Sequence, residues 1–305
     1  VNKIEEILCK VTGSSEVKAS ELIQELWSGY GELSRVFLDD SSVILKLINT
    51  NSGLDHPRGW NSSLSHRRKE LSYLIERKWY QDYNSPIEKA LLPRLIDAGE
   101  VDGSQYLILE DLKESGFHVK ASLSWKEIKS SLSWLANFHA HHLGTDPRDL
   151  WPIGTYWHLD TRPEELNTLE DIKLKEAAPL IDKKLNQAKH KTLVHGDAKL
   201  ANFLFNDDQA AAVDFQYVGG GVGVKDLAYF LSSIYREEEL FDKEDECLDF
   251  YFKELNAGAA VEAEWRGLYP YAWCDFYRFL KGWSPGHYKL NSYSEQMTEK
   301  VLKWL

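Results

Sequence analysis

The stretch Leu193-Val194-His195-Gly196-Asp197-Ala198-Lys199-Leu200-Ala201-Asn202-Phe203-Leu204-Phe205 decides the reading of this chain. An apolar run delivers the polar loop His-Gly-Asp, and a second apolar run begins directly after Asn202. A loop held between two short hydrophobic strands presents its side chains at a wall while the strands keep them rigid. Six positions after Phe205, Ala211-Ala212-Val213 leads into Asp214-Phe215-Gln216, another apolar strand ending in an acid. Asp197, Asn202 and Asp214 therefore stand at the mouths of neighbouring strands. Oxygen donors of this kind suit Mg²⁺, which takes a few carboxylates and fills its remaining positions with phosphate oxygens and water.

His-x-Asp-x-x-x-x-Asn followed by Asp-Phe resembles the catalytic-loop and metal-loop pair of kinases. His-Gly-Asp, with Asp-Phe-Gln in place of Asp-Phe-Gly, is similar to the aminoglycoside phosphotransferase and choline kinase family. The resemblance implies an α+β, two-lobed, protein-kinase-like fold with a small β-rich N-lobe and a larger, mainly helical C-lobe. It also implies ATP and Mg²⁺ as cofactors, Asp197 as catalytic base for a substrate hydroxyl, and Asn202 and Asp214 as metal ligands. Lys199 stands where protein kinases carry a lysine and is expected to neutralise charge on the transferring phosphoryl group. His195 and Asp226 (in Lys225-Asp226-Leu227-Ala228) are expected to support the loop.

Working upstream, Leu33–Leu38 and Val43–Ile48 read as strands joined by the turn Asp39-Asp40-Ser41-Ser42, a hairpin. Lys46 in Val43-Ile44-Leu45-Lys46 resembles the family's phosphate-binding lysine. Residues 66–82 read as a helix with an apolar stripe at Leu71, Leu74, Ile75 and Trp79. On it, Glu70 is the expected partner of Lys46, with Glu76 the competitor. Ser28–Ser34 resembles the phosphate loop, so Gly29 and Gly31 are assigned to ATP. Glu110-Asp111-Leu112, at the end of the strand Tyr106–Leu109, resembles the hinge, where the backbone of Glu110 and Leu112 would meet adenine. Residues 50–65 read as a loop. Helices are expected over 124–143, 164–189 and 237–256. The lobes divide as 1–111, binding nucleotide, and 112–305, carrying the catalytic loop and substrate site.

Trp265, Tyr269, Trp273 and Tyr277 recur about every four residues. They form either a core stripe or, with Asp275, an aromatic wall for a cationic hydroxyl-bearing ligand, and Trp265, Tyr269, Trp273 and Asp275 are the candidate substrate-binding set. Gly219–Gly223 mimics a phosphate loop but lacks Gly-Lys-Ser/Thr and is expected to form a tight turn. His139, His141 and His142 lack metal-ligand spacing and are expected to be structural or exposed.

Composition narrows the classes. Hydrophobic residues at 43% and charged residues at 28% are those of an ordinary globular chain. Lys plus Arg at 36 against Asp plus Glu at 48 gives −12, which disfavours nucleic acid and anionic lipid as partners. Cys9, Cys247 and Cys274 are too few and too scattered for a disulfide framework, so a reducing, cytoplasmic setting is expected. Glu5 and Glu6 stand where a secretory signal needs an apolar run. The expected partner is a small-molecule hydroxyl of choline-, aminoglycoside- or related amino-alcohol or sugar-like type, with no nucleic acid and no membrane. A non-catalytic nucleotide-binding scaffold is the alternative. A protein kinase is disfavoured because Ala-Pro-Glu is absent and only a dozen positions separate Asp214 from Asp226.

Overall fold

A computed structural model describes residues 3–26, 29–49, 63–83 and 85–305. The chain divides into two compact units, Val1–Pro86 with Leu92–His118, and Ile87–Leu91 with Val119–Leu305.

The first unit is built on a five-stranded antiparallel sheet of order β1-β2-β3-β5-β4. Its strands are β1 (Ala19–Glu25), β2 (Gly31–Phe37), β3 (Ser42–Ile48), β4 (Leu95–Val101) and β5 (Ser104–Glu110). The β2–β3 hairpin closes where the Leu38 N–H donates to the Ser41 carbonyl at 2.8 Å. Because side chains alternate along a strand, Val43 and Leu45 of β3 join Ile4 and Leu8 of α1 (Lys3–Thr12) in one core. Ile48, on the opposite face, packs with Tyr73 of α2 (Ser63–Lys78). Lys46 shares the parity of Ile48, so strand geometry directs it to the α2 side.

On α2 the buried residues are Arg68, Ser72, Tyr73, Ile75 and Glu76, followed by Trp79 and Tyr80 in a π-helical turn over Trp79–Tyr83. Leu71 and Leu74 of the expected stripe are exposed. The helix is thus rotated from the phase that the leucines suggest. The loop read over 50–65 lies, as far as residue 62, outside the described residues.

The second unit is mainly helical. Ser124 opens α3 (Trp125–His141), and the Glu127 carboxylate reaches back to the Ser124 N–H at 2.6 Å, a capping box. Then come α4 (Pro163–Thr168), α5 (Ile172–Asn186), α6 (Val224–Ile234), α7 (Glu237–Leu255), α8 (Ala259–Trp283) and α9 (Ser292–Trp304). Helix α8 packs against α4, α5, α6 and α9, while α7 packs on α3. Two short antiparallel pairs emerge among them, β6 (Thr192–Val194) with β9 (Gly219–Gly221), and between these in sequence the hairpin of β7 (Phe203–Phe205) with β8 (Ala210–Ala212).

The Gly219–Gly221 segment is a buried strand, which corrects the expected tight turn. A side chain at Gly219 would stand 2.2 Å from the Trp151 carbonyl oxygen, and one at Gly220 would stand 2.7 Å from that of Pro152. Close backbone approach, with no phosphate involved, accounts for the glycines. No helix among the described residues is long and apolar enough to cross a membrane.

Candidate active site

Strand β6 leads directly into His195, which is fully buried against the Phe215 ring at 4.5 Å between centroids. His195 Nε2 lies 3.0 Å from the Val213 carbonyl and so carries the proton, leaving Nδ1 to accept the Asp197 N–H at 3.2 Å. Gly196 has φ +80°, and a Cβ there would fall 2.1 Å from the Tyr217 carbonyl oxygen, so only glycine fits the turn. Asp226, near the start of α6, clamps this turn. Its carboxylate accepts the N–H groups of His195 (2.6 Å) and Gly196 (2.9 Å), and His139 Nε2 lies 3.0 Å away. Burial opposes the charge of Asp226, but the bonds to His139 and the nearby imidazoles outweigh it and hold the carboxyl below its usual range.

Asp197 is almost fully buried. Its Oδ2 accepts from Lys199 Nζ at 2.9 Å and from Asn202 Nδ2 at 3.0 Å. Its Oδ1 is buried with no hydrogen-bond donor among the described residues. A buried carboxylate oxygen without a close donor costs on the order of 1–3 kcal/mol or more, and the phenol in hydrogen-bonding reach of this carboxylate, that of Tyr229, leaves Oδ1 able to take a further donor. The phenol of Tyr229 lies beside this carboxylate, and burial followed by the charges of Tyr156 and Asp197 pushes its pKa well above the ordinary tyrosine value. Lys199 remains a cation: burial lowers its pKa, but Asp197 and Asp214 more than restore it.

Asn202 closes a 3₁₀ turn over Leu200–Asn202, and its carbonyl accepts the Val213 N–H at 3.0 Å. That bond ties it to the segment bearing Asp214, whose backbone takes the left-handed φ of +68°. Gln216 Nε2 donates to Asp214 Oδ1 at 2.5 Å. With the Asn202 amide nitrogen committed to Asp197, its oxygen is the atom available to a cation. One amide oxygen and one carboxylate fit Mg²⁺, which needs few protein ligands when phosphates supply the rest.

In the first unit, Lys46 Nζ donates to Glu76 Oε2 at 2.6 Å, with both side chains buried. This corrects the expectation for Glu70, which lies partly exposed and pairs with His66 at 3.3 Å. The cause is the phase of α2, whose buried face carries Glu76. Gly31 cannot bear a side chain, because its Cβ would lie 2.0 Å from the Leu47 carbonyl oxygen, and Gly29 takes φ +70°. Ser28 lies outside the described residues. Glu110 ends β5, its carboxylate accepting the Arg94 N–H at 3.1 Å. Leu112 begins a 3₁₀ turn capped by Asp111, which also receives Arg35 Nε at 2.5 Å and Ser42 Oγ at 2.7 Å.

The proposed substrate set is not an open wall. Trp265, Tyr269, Trp273 and Asp275 are all buried in the α8 core. Trp265 Nε1 donates to the His190 carbonyl, and Trp273 Nε1 to Ser294 Oγ, each at 3.0 Å. Asp275 is an ionic hub for Arg278 (2.7 Å), Lys225 (3.6 Å) and Trp157 Nε1 (3.0 Å). The four-residue recurrence of aromatics is therefore core packing of a helix buried nearly all round.

With this geometry in hand, comparison with known proteins agrees. A model of the ecdysteroid kinase-like family matches residues 72–145 and 155–261, more than half of the chain. The chain belongs to the ecdysteroid kinase-like family. No curated protein matches the chain in sequence. Solved structures share its fold across nearly their whole lengths. A microcompartment-associated aminopropanol kinase is 14% identical, with 97% of this chain and 95% of that one covered and a TM-score of 0.58. The amicoumacin kinase hAmiN, solved with AMP-PNP, Ca²⁺ and Ami, is 14% identical at 98% and 91% coverage, TM-score 0.57. Choline kinase LicA from Streptococcus pneumoniae is 14% identical at 99% and 98% coverage, TM-score 0.51. The α+β kinase-like fold expected from the motifs is the fold of this family member.

Proposed function

We propose that this member of the ecdysteroid kinase-like family is an ATP- and Mg²⁺-dependent phosphotransferase that moves the γ-phosphoryl group to a hydroxyl of a small molecule. The observation that carries the reading is the buried, unpaired Oδ1 of Asp197, on a carboxylate whose other oxygen is fixed by Lys199 and Asn202. An acceptor hydroxyl donating to Oδ1 satisfies that oxygen and is oriented for attack. In the transfer the acceptor oxygen forms a bond to the γ-phosphorus and the bond to the β,γ-bridging oxygen breaks. ADP leaves with that electron pair, and the hydroxyl proton passes to Asp197. Lys199 balances charge on the equatorial phosphoryl oxygens.

Lys46, held by Glu76, serves the nucleotide phosphates. Gly29 and Gly31 allow close backbone approach to them, and the backbone of Glu110 and Leu112 serves the base. Asn202 and Asp214 would hold Mg²⁺, which when bound neutralises phosphate charge. The family and the small-molecule kinases that share the fold support this reading. The nine positions from Phe215 to Gly223, part of them in β9, give no length for a peptide-docking segment. The test is ATP consumption with Mg²⁺ against a panel of alcohols, choline, aminoglycosides, sugars and sterols. Acceptor-dependent ADP release is expected. Nucleotide binding without turnover on any acceptor would favour a scaffold.

A further inference from the structure

The segment between α8 and α9 sends Lys289 back into the second unit. Its backbone is pinned on both sides: the Lys289 N–H donates to His287 Nδ1 at 3.2 Å, and its carbonyl accepts from Ser294 Oγ at 3.0 Å. The ammonium group stands 5.1 Å from the centre of the Tyr229 ring and 5.6 Å from that of Phe276, with Ser232 Oγ at 3.4 Å. Those rings belong to one hydrophobic cluster with Trp157, Phe279 and Leu280. Tyr156 packs edge-on to Tyr229 at 5.6 Å. Both tyrosines feel the charge of Asp197.

Two aromatic faces beside a carboxylate are what a quaternary or primary ammonium ligand requires. Here the chain's own lysine already occupies them. A second cation, Lys199, bonds the same carboxylate. Burial first, then repulsion from Lys199, lowers the Lys289 pKa to about 8 against the opposing pull of Asp197, which agrees with a crowded cationic pocket.

We propose that Lys289 fills the cation position of the acceptor subsite from within, so that the subsite takes hydroxyls on uncharged skeletons and rejects ammonium-bearing ones. The inference rests on the phosphotransferase reading and narrows it, away from the amino-alcohol and aminoglycoside acceptors that the motifs alone suggest. Rejection comes from two like charges and from aromatic faces no longer free, a specificity built by repulsion as much as by fit.

The experiment uses choline and 3,3-dimethylbutan-1-ol, which have the same shape and differ in charge. Calorimetric titration of each is run on the full chain, with and without AMP-PNP and Mg²⁺. The wild type is expected to bind the neutral alcohol at least tenfold more tightly than choline. Lys289→Met, which keeps the stem and removes the charge, is expected to gain at least tenfold in choline affinity. Lys289→Arg, retaining a cation, should not gain. If Lys289→Met melts early, Lys289→Gln carries the same comparison. Choline binding to the wild type as tight as that of its isostere overturns the proposal, and so does a lysine-free variant that fails to gain choline. Failure of AMP-PNP to bind would instead strike the phosphotransferase reading, and the nucleotide-free titrations would still judge Lys289.

Discussion

Glu76→Gln is the substitution that most sharply separates the structure from the motif. Lys46 and Glu76 are 5% and 1% exposed and lie 2.6 Å apart. Removing the carboxylate charge breaks a buried ion pair at one partner, which costs about 3–5 kcal/mol. At about 1.4 kcal/mol per tenfold, the unfolding equilibrium should shift by about 10²-fold to a few times 10³-fold. Glu70→Gln removes only a half-exposed i, i+4 contact with His66, worth about 0.5 kcal/mol or less. The double replacement Lys46→Met with Glu76→Leu fills the same space with apolar groups and should recover most of the lost stability while leaving nucleotide binding impaired. Urea denaturation followed by circular dichroism measures the stabilities, and titration with AMP-PNP measures the binding. A larger loss in Glu70→Gln than in Glu76→Gln would refute the assignment. Failure of the double variant to recover stability would show that burial of the pair is not the source of the cost.

Three further outcomes are expected. Lys199→Ala should lower kcat far more than it raises the KM for ATP, and an unchanged kcat in steady-state assays would contradict its role at the phosphoryl group. Asp226→Asn turns an amide NH₂ toward one of the backbone donors that the carboxylate now accepts, costing about 1.5–3 kcal/mol. Because the folded pKa of Asp226 is depressed, the stability it confers is present above about pH 4, the unfolded value. That stability is lost as pH falls through the folded pKa, so the variant should show a smaller acid-induced drop in Tm than the wild type. Asp275→Ala strands Arg278 and Lys225 in the α8 core and should destabilise by about 3–5 kcal/mol, measurable by thermal melting.

The site was legible where chemistry and strand pattern coincide. Residues 193–205 carry alternating apolar runs around a polar loop, and the structure closes that loop with the Asp226 clamp. The β2–β3 hairpin and helices α3 and α7 were equally plain. Strand β1 was not, because every residue from Ala19 to Glu25 is exposed and no alternation exists to be read. In α2, the exposed Leu71 and Leu74 set the apparent helical phase, while the buried face includes the polar residues Arg68, Ser72 and Glu76. Glu70 was expected because Arg68-Lys69-Glu70-Leu71-Ser72-Tyr73 resembles the family's Arg-Glu-x-x-Phe-Tyr segment, and a local motif does not say which face of the helix is buried. The α8 aromatics read equally as core or cage from spacing alone, since a helix buried all round has no polar face to fix its orientation. Lys289 lies some ninety residues from Asp197 in a polar segment, and only the tertiary fold brings it to the aromatic faces.

The most direct test of the account is Asp197→Asn, measured for turnover and for nucleotide affinity in the same preparation. Asparagine keeps the shape and loses the ability to take a proton, so acceptor-dependent ADP release should fall to background while AMP-PNP affinity stays within about threefold of wild type. Retained turnover would contradict the role of Asp197 as the base on which the account depends.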